Sequence, residues 1–493
     1  MSDNTEKKQS SIKVNFILNA ILTMSGFLFP LISFPYVSRI LKPEGTGKVQ
    51  FATSVISYFA MFAALGTSTY GVRACAKVRD DKEKLTKTAQ EIFYLNIITG
   101  AIAYVMLFGT IIAVPKFRNE KMLYFICSLI IFFTAIGMEW LYKALEKYRY
   151  ITIRSVLFKL IALIAMFLFI HKKGDYKIYA VLTIFASSAS GILNFFNARK
   201  YISFKRLKHY DFKPHIKALI IFFAMSCATT IYLHLDTVML GFMIDDTEVG
   251  YYNAAVKIKT ILVSVVTSLG AVLLPRAAYY VEHNLMDEFR RISAKALNFV
   301  WIFAAPLMVY FMIFASEGIY FLSGKDYSEA IIPMIVITPT VLLIGLTNIM
   351  GIEILVPTGR EKIVLYSEIA GAITDLILNA ILIPQLKSTG AAIGTLVAEL
   401  VVFIYQYIAL KGEVGDIFKK MCYWKVALGL LIASGASFWV KLLPLGNSML
   451  HSFIKMAVSG VIFYAAYGIV LLATKEELTR SIWNSVVKKI RRI

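Results

Sequence analysis

The sequence predicts an all-α integral membrane fold of about fourteen transmembrane helices. They form two pseudo-symmetric six-helix lobes, two appended helices and a central cavity. Three observations predict it: the apolar composition, the distribution of Lys and Arg, and an internal repeat. Of 493 residues, 58% are hydrophobic and 17% charged, and the mean hydropathy is +0.68. A soluble chain of this length needs far more polar surface to cover its core. A spanning helix needs about 20 apolar residues to cross about 30 Å of hydrocarbon. Such stretches follow one another along the chain, and no gap between them is long enough for a soluble domain.

The hydropathy places spans at 15–37, 49–71, 89–114, 122–142, 155–170 and 176–198, then at 217–243, 249–274, 294–315 and 330–356, and last at 363–384, 390–410, 424–443 and 452–473. The polar, basic segment MSDNTEKKQSSIKVN precedes the first apolar run, which ends without a small-residue cleavage site. It reads as a retained helix and not as a signal peptide. Four cysteines (Cys75, Cys127, Cys227 and Cys422) lie scattered without CxxC or metal-ligand spacing. They read as packing residues, with no disulfide.

Lys and Arg set the orientation. With span edges counted in their loops, one face carries 36 and the other 12. The excess predicts that both termini are cytoplasmic. It also accounts for the net charge of +21 through contact with anionic lipid. No basic domain lies outside the spans, so nucleic acid is not expected as a partner.

The repeat joins GKVQFATSVISYFAMFAALGTSTYGVRACAK at Gly47 to GYYNAAVKIKTILVSVVTSLGAVLLPRAAYY at Gly250, an offset of 203 that also relates Arg73 to Arg276. GMEWL at Gly137 matches GIEIL at Gly351, an offset of 214. Six helices separate the pairs, so the repeats run parallel, as in duplicated transporters. The expected organisation is a lobe at 12–205, a second at 215–412, two helices at 424–473 and a basic cytoplasmic tail at 474–493.

Five segments carry a specific resemblance: FPYVSRILKPEGTGKVQFA, GMEWLYKALEKYRYITIRS, LDTVMLGFMIDDTEVGYYNAAVKI, GIEILVPTGREK and LILNAILIPQLKSTGAAIGTLVAE. Over about residues 12–410 the chain resembles Wzx-type polysaccharide flippases of the multidrug/oligosaccharidyl-lipid/polysaccharide exporter superfamily. The resemblance implies translocation of an undecaprenyl-pyrophosphate-linked oligosaccharide across a bacterial plasma (inner) membrane. It leaves room for a polysaccharide polymerase and chain-length machinery as partners. A cation-coupled multidrug exporter and a lipid II flippase are the alternatives within the superfamily. A membrane glycosyltransferase or polymerase is the distant one.

Charges inside a membrane are costly and face a bundle interior or a water-filled cavity. Asp236 and Lys257 flank the turn between spans seven and eight at similar depth. They form either a structural ion pair or a phosphate-binding Lys257 held by Asp236. Arg39, after the first span, either anchors at the interface or meets substrate phosphate. Arg73 and Arg276 either fix topology or capture a lipid headgroup at the entrance. Asp375, with Asn379 one turn on, and Glu399 lie at mid-membrane, either hydrogen-bonded within the lobe or forming a proton or sodium site. Glu139 and Glu353 occupy repeat-equivalent positions before basic loops (Lys143 and Lys147; Arg360 and Lys362), as structural ion pairs or gate latches.

The chain carries no GxxxxGK[ST] and no HExxH, and its six histidines form no ligand cluster. No catalytic residue, metal or cofactor is expected, and the chain does not read as an enzyme.

Overall fold

The computed structural model describes residues 12–490, and every regular element among them is helical. In chain order these are α1 (Ile12–Ala64), α2 (Thr67–Lys77), α3 (Lys82–Ala113), α4 (Pro115–Asn119), α5 (Lys121–Ile136), α6 (Glu139–Ala144), α7 (Tyr148–Phe169), α8 (Tyr176–Ile184), α9 (Gly191–Ala198) and α10 (Lys213–Met243). There follow α11 (Asp246–Glu282), α12 (Met286–Ile313), α13 (Ala315–Leu322), α14 (Ile331–Ile337), α15 (Thr340–Asn348), α16 (Glu361–Lys420), α17 (Tyr423–Phe438), α18 (Met449–Ala473) and α19 (Glu477–Ile490).

The helices start where short polar side chains can satisfy free backbone donors. The Asp81 carboxylate accepts from the N–H groups of Glu83 and Lys84, both at 3.1 Å, and opens α3. Asp81 lies outside the spans. The Lys84 N–H, followed by its ammonium, holds the carboxyl below its ordinary range. Asp245 opens α11 through the Glu248 N–H at 2.9 Å, and Ser448 opens α18 through that of His451 at 3.2 Å.

The outward faces are apolar. Val105, Ile112, Leu431, Leu442 and Val461 are all more than 70% exposed, which suits lipid and not water. Among the described residues, eleven helical stretches are long and apolar enough to cross a membrane, or twelve if the bent pair Lys325–Ile337 and Thr340–Leu355 is one span. The expected fourteen is reached only by dividing the two longest, Ile21–Lys77 and Glu361–Lys419, at their non-helical residues, Lys42 and Lys387. Length favours that division: 57 and 59 residues at about 1.5 Å each far exceed about 30 Å of hydrocarbon.

Two compact units divide the chain between Val238 and Met239, within α10. In the first, α1 packs against α3, α5, α7 and α8. The Phe117 ring touches those of Phe51 and Tyr124, with centroids 6.2 and 4.5 Å apart. The start of α10 is fastened to this unit. The His215 ring bonds the Tyr70 hydroxyl at 2.7 Å and the Glu91 carboxylate at 2.9 Å. Asp211 N–H donates to the other Glu91 oxygen at 2.8 Å.

In the second unit α11 packs against α12, α14, α15 and α16. The appended helices α17 and α18 pack on each other and on α12 around Tyr310, Phe463 and Tyr467. Tyr467 donates its hydroxyl proton to the Ile302 carbonyl at 2.9 Å, and Tyr310 donates to that of Met456 at 2.7 Å. The cysteines are free thiols.

Candidate functional site

Three helix interruptions meet in the first unit. Between α1 and α2 the chain turns left-handed at Leu65 (φ 44°) and Gly66 (φ 74°). Between α5 and α6 it does so at Met138 (φ 43°). Between α8 and α9 the hydrogen bonding widens to a π-turn at Phe185–Ala189. Interrupted helices at membrane depth free backbone groups that only buried protein or a wet cavity can satisfy. Here all three border one cavity of about 230 Å³, lined by Thr67, Ser68, Thr134, Glu139, Lys143 and Ser187 among others.

Part of its wall belongs to a buried polar network. Arg154, on α7, is 5% exposed. It donates to the Asn194 side-chain oxygen and, at 3.3 Å, to the Ser190 carbonyl; its guanidinium lies 3.5 Å from Glu139. Glu139 also pairs with Lys143 at 2.9 Å. Asn194 donates to the Gly137 carbonyl at 2.7 Å, and Tyr142 donates to that of Asn194 at 2.6 Å. Gly137 and Gly191 permit the approach: a Cβ on Gly191 would stand 3.1 Å from the Gly137 Cα. Arg154 Nε has no acceptor among the described residues.

The second unit repeats part of this arrangement. Ile349–Leu355 is a π-turn, and the Gln406 amide packs against Gly351, the repeat partner of Gly137. The cation is not repeated: the offset that relates Gly137 to Gly351 brings Arg154 to Glu368. Glu353 is 2% exposed. Arg360, expected as a partner for Glu353, instead forms a two-pronged pair with Glu413 at 2.7 and 2.9 Å, because the end of α16 lies nearer to it.

The second polar cluster lies on α16. Asp375 (3% exposed) and Asn379 (0%) share a face and close on Gly394, where a Cβ would stand 2.9 and 2.4 Å from their Oδ1 atoms. The Thr395 hydroxyl bonds that of Tyr252, from α11, at 2.9 Å. Glu399 is buried. It lies at the level of Gly371, which packs on Ala398 and Val402, about one turn from Asp375. Among the described residues no group of three His, Cys, Asp or Glu is placed to hold a metal ion.

Residues 12–281 match the family described as polysaccharide biosynthesis proteins. The chain belongs to this family. The resemblance to Wzx-type flippases is borne out at that level. A relative in Escherichia coli (strain K12), named for O-antigen transport, is 26% identical over 401 residues, covering 81% of this chain and 96% of its own length. The fold is that of a lipid II flippase solved in an inward closed conformation: TM-score 0.71, 16% identity, with 94% of this chain and 99% of that one covered. It is shared with an inward-facing multidrug resistance transporter of the MOP superfamily: TM-score 0.60, 15% identity, with 82% and 99% covered.

Against that family fold, the sequence-derived residues fall as follows. Asp375 and Asn379 are brought together; Glu139 meets Lys143 but not Lys147, whose ammonium sits over the Tyr201 ring. Asp236 is 7% exposed in the first unit, while Lys257 is half-buried in the second. Helix α1 continues through Arg39, which is half-buried and donates to the Pro35 carbonyl. Arg73 is exposed on α2, and Arg276 is exposed on α11, where it donates to the Tyr280 hydroxyl at 2.9 Å. Arg154, Asn194, Glu91 and His215 escaped the sequence reading. An arginine six residues inside α7 was the available signal for the first of these.

Proposed function

We propose that this multi-pass membrane protein is a flippase. Its substrate is an undecaprenyl-pyrophosphate-linked oligosaccharide repeat unit, carried to the outer leaflet of a bacterial plasma membrane for surface polysaccharide assembly. Family membership over residues 12–281 carries the reading. The relative named for O-antigen transport, aligned over 96% of its length, supports it. Both termini are cytoplasmic in this reading, and transport proceeds by alternating access, without enzymatic chemistry. Arg39, Lys257 and Asp236 are the substrate-binding residues of this reading, and Arg73 and Arg276 stand at the entrance. Glu139 acts as a latch through Lys143 and Arg154, and Glu353 holds the equivalent place in the second lobe.

Deleting the gene is expected to abolish surface glycan and to leave a complete repeat unit on its polyprenyl carrier in the inner leaflet, read by mass spectrometry of lipid extracts. Unchanged glycan and lipid pools with altered sensitivity to organic cations sink the reading in favour of a multidrug exporter. Loss of peptidoglycan precursors from the outer leaflet favours a lipid II flippase, whose fold the chain shares.

Asp375, Asn379 and Glu399 form the coupling site for a proton or sodium ion in this reading. Asp375→Asn keeps the shape and removes the charge. It is expected to lower glycan export about tenfold, the order of one coupling interaction, at unchanged protein level. Export equal to the parent removes Asp375 from the coupling step.

A further inference from the structure

The second unit has a cavity of about 510 Å³ away from the polar clusters, formed by the end of α11, the start of α12 and the first turns of α19. Its lining is divided by chemistry. Leu273, Ile292, Phe299 and Leu478 make an apolar floor, and Arg276, Arg291 and Lys295 supply three cations. Glu288 is the acid in the lining, 3.7 Å from Arg291. Among the described residues no carboxylate lies within ion-pair distance of Arg276 or Lys295. Within this lining the cations outnumber the acid by two, beside apolar surface, at the helix ends that carry the Lys and Arg excess; Arg291 and Lys295 also border an adjoining cavity that holds Glu413, Asp416 and Glu477. That combination selects an amphiphile with an anionic head. Basic pockets between spanning helices recognise anionic lipid headgroups in this way. The size lies within the range of small-molecule sites, about 300–1,000 Å³. It suits a phosphate and glycerol with the start of an acyl chain, and is small for a phosphate plus an oligosaccharide. One wall, α19, follows the duplicated helices and has no counterpart in the first lobe.

We infer that this cavity binds the phosphate headgroup of an anionic bilayer phospholipid. Arg276, Arg291 and Lys295 hold the phosphate, while Phe299 and Leu478 contact the upper acyl chain. Apart from Arg276, which the transport reading also uses, the site is independent of that reading.

The test uses the full chain in detergent, with native mass spectrometry counting retained lipid after exchange into phosphatidylglycerol or phosphatidylcholine. Phosphatidylglycerol is expected to be retained, and phosphatidylcholine is not. Arg291→Ala with Lys295→Ala is expected to lower retention about thirtyfold, at the usual contribution of each basic residue near a lipid surface. Lys205→Ala with Arg206→Ala, on the first unit, leaves it unchanged. Glu288→Gln removes the competing acid and is expected to raise retention, a gain that misfolding cannot produce; it carries the test if the double variant fails to fold. Equal retention of both lipids overturns the inference, as does undiminished phosphatidylglycerol on the double variant or no gain with Glu288→Gln. Displacement by millimolar inorganic phosphate overturns it in favour of a free-anion site. Displacement by an equimolar polyprenyl pyrophosphate assigns the cavity to the transported lipid.

Discussion

Arg154→Ala is expected to destabilise the first unit by about 1–3 kcal/mol, the usual cost of leaving a buried acceptor without its donor. The guanidinium serves Glu139, Asn194 and Ser190 together. Without it, the buried Asn194 side-chain oxygen loses its donor, while the Ser190 carbonyl keeps the Asn194 N–H at 3.3 Å. Glu139 keeps Lys143 at its half-buried end, so the damage centres on the helix contact and not on the cavity rim. Arg154→Lys is expected to rescue only part, because a single ammonium cannot reproduce the planar fork. Thermal unfolding in detergent measures both. Arg154→Met is expected to melt above Arg154→Ala, since its longer apolar chain refills part of the vacated space. An Arg154→Ala protein that melts with the parent refutes this account of the network.

Gly66→Ala is the second large effect. Gly66 sits at φ 74°, where a Cβ would stand 2.6 Å from the Phe223 nitrogen and 2.7 Å from the Phe222 carbonyl carbon. Those are backbone atoms and cannot rotate aside. The left-handed conformation alone costs an L-residue about 1–2 kcal/mol, and the overlap adds to it. The first turns of α10 must then move off the α1–α2 turn, straining the Tyr70–His215–Glu91 bonds. The expected result is a lowered melting temperature and faster proteolysis between Arg199 and Lys213. Gly26→Ala and Gly109→Ala are the controls, since nothing lies within 4 Å of their added methyl groups. As helix-interior changes they are expected to be neutral or stabilising, by up to about 1 kcal/mol. Gly66→Ala that behaves like these controls removes the steric argument.

The membrane class and the buried Asp236, Asp375, Asn379 and Glu399 were legible in the sequence. Each is a polar residue inside an apolar window, and burial of such a residue follows from solvation alone. Arg154 was not, for a related reason. Hydropathy begins that span at 155, so the arginine counts as a loop charge, whereas the helix begins at Tyr148. Helices extend past their apolar stretch when polar partners wait on a neighbour. The Glu91–His215 bond joins residues 124 apart, and periodicity says nothing about which polar positions of distant helices meet. The π-turn at Phe185–Ala189 leaves no mark beyond a run of small residues. Asp375 and Asn379 share a face by spacing, but their closure on Gly394 depends on the reversal at Lys387.

The three interrupted helices of the first unit have a mechanical meaning. A helix resists bending through its continuous ladder of backbone bonds, and around a single cavity two ladders are cut and a third is widened. The compliance of the unit is therefore gathered at one level and not spread along its length. Helical segments on either side of that level behave as stiff rods joined through a soft waist, and the Arg154 network is the rivet that sets how far the waist can open.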